Sequence, residues 1–308
     1  MSSNFVIADW LVHGGHQYEF FKANGRFLCT NPDKSKPDYN ILNRPKNPKV
    51  TYVTEEGLLR ANFNIAMIRA GVKYDGTNKA VIKNRAAGIA VIQTHKPFKV
   101  PDWVRCVVWN SDYAMRHYRR QLPYKKHFYI PHGFDPDEFA NLGLDRNERV
   151  LSAASLFEKR NSVMGFSDWR WVADRLGICD VIGHGNPGLK ECIGNFSLEQ
   201  LVKKYNEYSV FLNTTTRSAM PRVRGEALMC GTPVITTENY GIGKYLVHGK
   251  SCFFANKRED MLTFSRKLLG SKSMQVDFGE AGREVAIKHF NIKEYLDRWN
   301  NVFEEAVK

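Results

Sequence analysis

The chain has 308 residues, and at about 150 residues per domain that length favours two domains over one core. Its hydrophobic share of 43% supports ordinary globular cores and is too low for a membrane protein, and no apolar run approaches the roughly 18 residues of a spanning helix. Lys and Arg outnumber Asp and Glu by 45 to 32, a net charge of +13 that would draw the protein towards polyanions. No signal peptide precedes Phe5, and Cys29, Cys106, Cys179, Cys192, Cys230 and Cys252 lack C-x-x-C spacing. They read as reduced core residues of a cytoplasmic protein.

In chain order, βα units alternate through both halves, which predicts parallel sheets covered by helices on both faces. The opening segment FVIADWLVHGGHQYEFFKANG reads as strand, glycine turn and helix, with Gly14 and Gly15 in the turn and Asp9, His13 and His16 beside it. Residues 31–49, rich in proline and lysine, read as a mobile loop. Further strands are expected near 50–53, 89–93, 106–109 and 127–130, the one at 89–93 leading to His95 at its end. The turn Pro131-His132-Gly133 leads to Asp135 and Asp137, either of which suits a helix cap. Asn, Gly and Asp then cluster ahead of RVLSAAS, so the domains are drawn as 1–143 and 144–290, with a terminal segment 291–308. In the second half strands are expected near 150, 180–183, 210–213, 233–236 and 252–254. Helices should begin near Ser197, a plausible N-cap, and near Glu259, and residues 292–307 are amphipathic.

The densest information lies in NTTTRSAMPRVRGEALMCGTPVITTENYGIGKYLVH, residues 213–248. Pro221 suits a first helical turn and Gly231 the left-handed residue after the last, so a helix is predicted over 221–230. Its free N–H groups and dipole can bind a phosphate, and Arg222 and Arg224 add positive charge there. Glu226 lies one turn beyond Arg222, where a carboxylate can accept paired hydroxyl hydrogen bonds, as from a ribose; the same spacing also fits a simple ion pair.

This stretch resembles the C-terminal domain of GT-B glycosyltransferases of the group 1 type, whose signature sets two glutamates eight positions apart before an A-x-x-C-G-T-P-V-I block. Glu226 matches the second glutamate, and Ala227, Cys230, Gly231, Thr232, Pro233, Val234 and Ile235 follow it; Ser218 stands in place of the first. The glycine turn, the strand ending at His95 and the P-H-G-x-D turn match further family patches in the family's order. The resemblance implies an α/β GT-B fold, two Rossmann-like domains facing across a cleft, with the last helix crossing back to the first domain. It also implies a retaining, nucleotide-sugar-dependent transferase, with a phage-type DNA-modifying member as one branch.

By that resemblance, Gly14 and Gly15 lie against the donor's phosphates or sugar, and His95 lies beside the transferred sugar. Should the reaction invert the anomeric centre, a base from the set Asp9, His13 and His16 is required. SLFEKRNSVMGF follows the first strand of the second domain, where the family carries a cation for the donor diphosphate, so Lys159 or Arg160 fills that role. Protein cations and helix N–H groups can stabilise a departing diphosphate without a metal, so the expectation is no metal and no cofactor, with a nucleotide sugar, UDP-sugar first, as co-substrate. Residues 1–140 hold 21 Lys and Arg against 12 Asp and Glu, clustered in 34–49 and 116–126. A polyanionic acceptor fits that charge, DNA with a hydroxylated base ahead of an anionic membrane surface. The alternative is an inactive nucleotide-sugar or nucleic-acid binding module of the same fold. A Rossmann oxidoreductase is disfavoured, because the first turn lacks G-x-G-x-x-G.

Overall fold

The computed structural model describes residues 4–12, 14–30, 44–70 and 77–308. His13 and the larger part of the expected mobile loop, residues 31–43 with Lys34 and Lys36, lie outside the described residues. The chain divides into two compact units, Met1–Gly133 with Ile292–Lys308 (unit 1) and Phe134–Asn291 (unit 2).

Unit 1 carries β1 (Val6–Trp10), α1 (Gly14–Phe20), β2 (Arg26–Thr30), β3 (Val50–Tyr52), α2 (Glu55–Arg60), β4 (Ile65–Arg69), α3 (Thr77–Asn84), β5 (Ala87–Ile92), β6 (Val104–Trp109), α4 (Asp112–Tyr118) and β7 (Lys126–Tyr129). All seven strands run parallel, in the order β3-β2-β1-β4-β5-β6-β7. Alternate residues feed opposite faces: Ile7 joins Phe20, Phe21 and Phe27 on one side, while Ala8 and Trp10 join Leu58, Phe63 and Ala80 on the other. The first face is closed by the C-terminal helix, which contributes Tyr295, Trp299, Val302 and Phe303 to the core.

Unit 2 follows with β8 (Asn147–Ala153), α5 (Asn161–Met164), α6 (Phe166–Leu176), β9 (Cys179–Ile182), β10 (Cys192–Gly194), α7 (Leu198–Glu207), β11 (Tyr208–Asn213), α8 (Arg222–Met229), β12 (Val234–Thr236), β13 (Phe253–Phe254), α9 (Arg258–Leu269) and α10 (Lys272–His289); the helix returning to unit 1 is α11 (Ile292–Val307). Its six parallel strands are ordered β10-β9-β8-β11-β12-β13. Ser197 caps α7 in a full capping box with Gln200, as its sequence suggests.

In each sheet the chain first builds outward on one side and then returns to build on the other. The direction reverses between β1 and β4 in unit 1, and between β8 and β11 in unit 2. Loops leaving the carboxyl ends of such neighbours diverge and leave a crevice, the usual ligand position in open α/β sheets.

Several local expectations are corrected. β2, β4 and β10 were not expected from the sequence. α8 begins at Arg222, with Pro221 held extended as its N-cap (φ −60, ψ 118), and Gly231 takes the left-handed conformation at φ 71. Asp135 caps no helix; its Oδ1 accepts the Asp137 N–H at 3.0 Å inside a hydrogen-bonded turn. The six cysteines are unpaired, and five of them are buried.

Candidate functional site

In unit 2, α8 leaves the exit loop of β11 at the point where the sheet reverses direction. That loop is tied to the exit of β8: the Thr216 N–H donates to Val163 O at 2.9 Å, and Thr214 Oγ1 donates to Met164 O at 2.7 Å. Gly165 makes the approach possible, because a Cβ there would stand 2.3 Å from Thr214 O. Lys159 and Arg160 sit in the turn just before α5, both exposed, so they are the cations of the β8 exit loop.

Arg224 has a different environment. It is 2% exposed, and its Nη1 donates to Thr236 Oγ1 at 3.3 Å, at the carboxyl end of β12. The Thr236 hydroxyl in turn donates to Asn213 Oδ1 at 3.1 Å, at the end of β11. No carboxylate pairs with Arg224 among the described residues, and burial pushes its guanidinium down to about 10. It remains a cation at neutral pH, held among hydroxyls and amides that cannot neutralise it.

Glu226, also 2% exposed, is held from two sides: its Oε2 accepts from the Tyr205 hydroxyl at 3.0 Å, and its Oε1 from Arg222 Nε at 3.2 Å. The Arg222–Glu226 pair is therefore a buried ion pair, with side-chain exposures of 13% and 3%, rather than a solvated one. Arg222 lies over the Phe134 ring at 4.8 Å, and Gly225 leaves room for that ring, since a Cβ there would meet it at 2.3 Å.

In unit 1, Gly14 and Gly15 open α1, at the sheet's own reversal point. Beneath them Asp9, on β1, forms a buried bidentate pair with Arg69, the last residue of β4: Nε to Oδ1 at 2.7 Å and Nη2 to Oδ2 at 2.8 Å. Gln17 Nε2 donates to Asp9 Oδ2 at 2.9 Å and to Trp10 O at 2.9 Å, while its Oε1 accepts the Val12 N–H at 2.8 Å. His16 is 4% exposed, with Nδ1 3.5 Å from Arg69 Nη1 and Nε2 3.4 Å from the Tyr295 hydroxyl. Both ring nitrogens thus face groups of unit 1, Arg69 and Tyr295, beneath the glycine turn. His95 lies half-buried three residues beyond β5, on the same carboxyl side of the sheet. His132 Nε2 lies 3.4 Å from Asn110 Nδ2, within the unit 1 core.

The basic cluster over 116–126 is less available than its sequence suggests. Arg116 pairs with Asp112, Lys126 with Glu305, and Lys125 Nζ donates to Asp102 O, while Arg119 and Arg120 stay exposed. The last of these residues lie at the amino end of β7, opposite the glycine turn. Sequence reasoning missed Arg69 and Tyr205 altogether. The available signal for Arg69 was a lone charge ending the apolar run IAMI.

With this geometry in view, the match of residues 146–301 to the family model described as "Glycosyl transferase-like" spans half of the chain and includes the whole of α8 and its loops. The chain belongs to this glycosyl transferase-like family. No curated protein sequence matches it. Its fold is similar to a glycosyltransferase from Rickettsia africae ESF-5, at TM-score 0.72 and 14% identity over 99% of each chain. It is also similar to sucrose-phosphate synthase from Thermosynechococcus elongatus, at 0.70 and 14% over 98% of this chain and 99% of that one. Anabaena HepE, solved with UDP and glucose, matches at 0.71 and 12% over 97% and 98%. The chain thus has an α/β fold with two parallel-sheet, Rossmann-like halves, in common with GT-B glycosyltransferase structures. Among the described residues no helix is long and apolar enough to cross a membrane, and no three His, Cys, Asp or Glu side chains converge as metal ligands.

Proposed function

We infer that the protein moves a sugar from a nucleoside diphosphate donor, a UDP-sugar first, to a hydroxyl acceptor without a metal ion. The observation that carries this reading is Arg224, a buried cation that no carboxylate among the described residues pairs with, beside the amino end of α8 and the carboxyl ends of β11 and β12. A buried charge is costly unless paired, and a diphosphate supplies the missing anion where the helix dipole also favours one. Arg222 and Lys159 or Arg160 add charge for the leaving diphosphate as the sugar–phosphate bond breaks. Glu226, oriented by Tyr205 and Arg222, is assigned to the ribose hydroxyls. In unit 1 the Gly14–Gly15 turn and His95 are assigned to the transferred sugar. UDP is favoured because Anabaena HepE and a pneumococcal O-GlcNAc transferase, GtfA, were each solved with it.

For the acceptor, the charge of residues 1–140 supports a polyanion, DNA with a hydroxylated base ahead of an anionic membrane. A long polyanion reaches exposed charges such as Arg119 and Arg120 that lie away from the glycine turn. Binding that weakens steeply with added salt supports this acceptor class, and a flat salt response removes it.

Ser218, in place of the family's first glutamate, favours a second reading, an inactive nucleotide-sugar binding module. Incubation with a panel of labelled nucleotide sugars separates the two. Donor hydrolysis or transfer, abolished in Arg224→Met, supports the enzyme; tight binding without either reaction supports the module.

A further inference from the structure

The buried pair Asp9–Arg69 has no part in the donor site of unit 2, yet it sits at the reversal point of unit 1, with exposures of 0% and 1%. A buried ion pair adds little net stability over well-packed apolar residues, so its retention asks for a positional explanation. The contacts of the Asp9 carboxylate reach β1, β4 and α1. Oδ1 takes the Trp10 N–H at 2.8 Å and Arg69 Nε, while Oδ2 takes Arg69 Nη2 and Gln17 Nε2. Gln17 then ties the first turn of α1 back to Trp10 O and the Val12 N–H. The glycine pair is therefore bracketed by bonds that all pass through Asp9 or Gln17.

We propose that Asp9, Arg69 and Gln17 are positioning residues that set the Gly14–Gly15 turn and keep His16 a neutral imidazole beneath it. Arg69 has only donors, so His16 Nδ1 must be the acceptor and the ring proton must sit on Nε2, towards the Tyr295 hydroxyl. Protonation of Nδ1 would set two like charges against each other. Titratable groups beside the ring include Arg69 from β4, His132 beyond β7 and Tyr295 from α11, and Asp9 from β1 reaches it through Arg69. Arg69 also lies over the Phe20 ring at 5.2 Å, which anchors the same helix face.

The transfer role of this turn rests on the function proposed above, so the test has one arm that is independent of activity. Full-length protein with nitrogen-labelled histidine is followed by NMR from about pH 5.5 to 8, across the ordinary histidine range. The expected result is a His16 ring that stays in the neutral Nε2–H form in the wild type. In the double variant Asp9→Leu/Arg69→Met, which removes both charges together and so spares the fold, the ring should take up a proton at a higher pH than in the wild type, because the cation beside Nδ1 is gone. In the activity arm, kcat in that variant falls about tenfold to a hundredfold while the Kd for UDP stays within about twofold. Arg69→Lys, which cannot span both carboxylate oxygens, gives the same split. Ordinary titration of His16 in the wild type overturns the proposal, as does wild-type kcat in the double variant. If no nucleotide sugar is turned over while the ring behaves as expected, the enzyme reading fails and the positioning of His16 stands.

Discussion

Each unit of this molecule buries one arginine at the carboxyl end of its sheet, and the two are treated in opposite ways. Arg69 in unit 1 is met by both oxygens of Asp9, whereas Arg224 in unit 2 meets a threonine hydroxyl and, among the described residues, no carboxylate. On the function proposed above, the same side chain in two similar sheets does two kinds of work. One charge is neutralised by the chain itself and would serve geometry; the other would be left for a ligand to neutralise. A buried arginine identifies a binding site only when its counter-charge is missing from the protein.

The largest expected consequence of this contrast is in stability. Arg69→Met strands the Asp9 carboxylate in the core and should cost about 3–5 kcal/mol of unfolding free energy, measured in urea. Arg224→Met removes an unpaired buried charge, so its melting temperature should hold or rise; a loss like that of Arg69→Met would erase the distinction between the two units. That same variant should weaken UDP binding by about 2–3 kcal/mol, the range for hydrogen bonds to charged groups, as calorimetry would record. Glu226→Ala should cost about 1–3 kcal/mol of nucleotide affinity. Unchanged affinity there would leave the Arg222–Glu226 pair as a structural element of α8 and sharpen the case for Arg224 alone. Smallest is the joint change Lys159→Ala/Arg160→Ala. With both side chains exposed it should leave folding alone and lower turnover by about tenfold, or roughly 1.4 kcal/mol of barrier; wild-type turnover would remove the β8 exit loop from the site.

The elements around the proposed donor site were largely legible in the sequence, because their signals are local. A proline before α8, a left-handed Gly231 after it and a buried VIT strand lie within a few residues of one another and fix the element order between them. Burial was not legible. Arg222 and Arg224 look alike on a short polar helix, and only the packing of α8 on Phe134, β11 and β12 leaves Arg222 paired and Arg224 alone. The unit 1 network was hidden for a related reason, since Asp9 and Arg69 are sixty positions apart and nothing near either residue announces the other. β4 escaped notice because IAMIR is short, holds just two β-branched residues and ends in a charge that reads as a surface residue. For His16, proximity to a glycine turn says nothing about which way the ring faces, and its contacts with Arg69 and Tyr295 come from residues distant in sequence.

The return of α11 to the first sheet has a consequence for how the molecule is made. Trp299 and Phe303 are translated after the whole of unit 2, and both belong to the core that covers β1 and α1. Unit 2, complete by Asn291, can close its own core during synthesis, while the strands of unit 1, translated before it, must wait with one apolar face uncovered. Unit 1 is thus begun before unit 2 and finished after it.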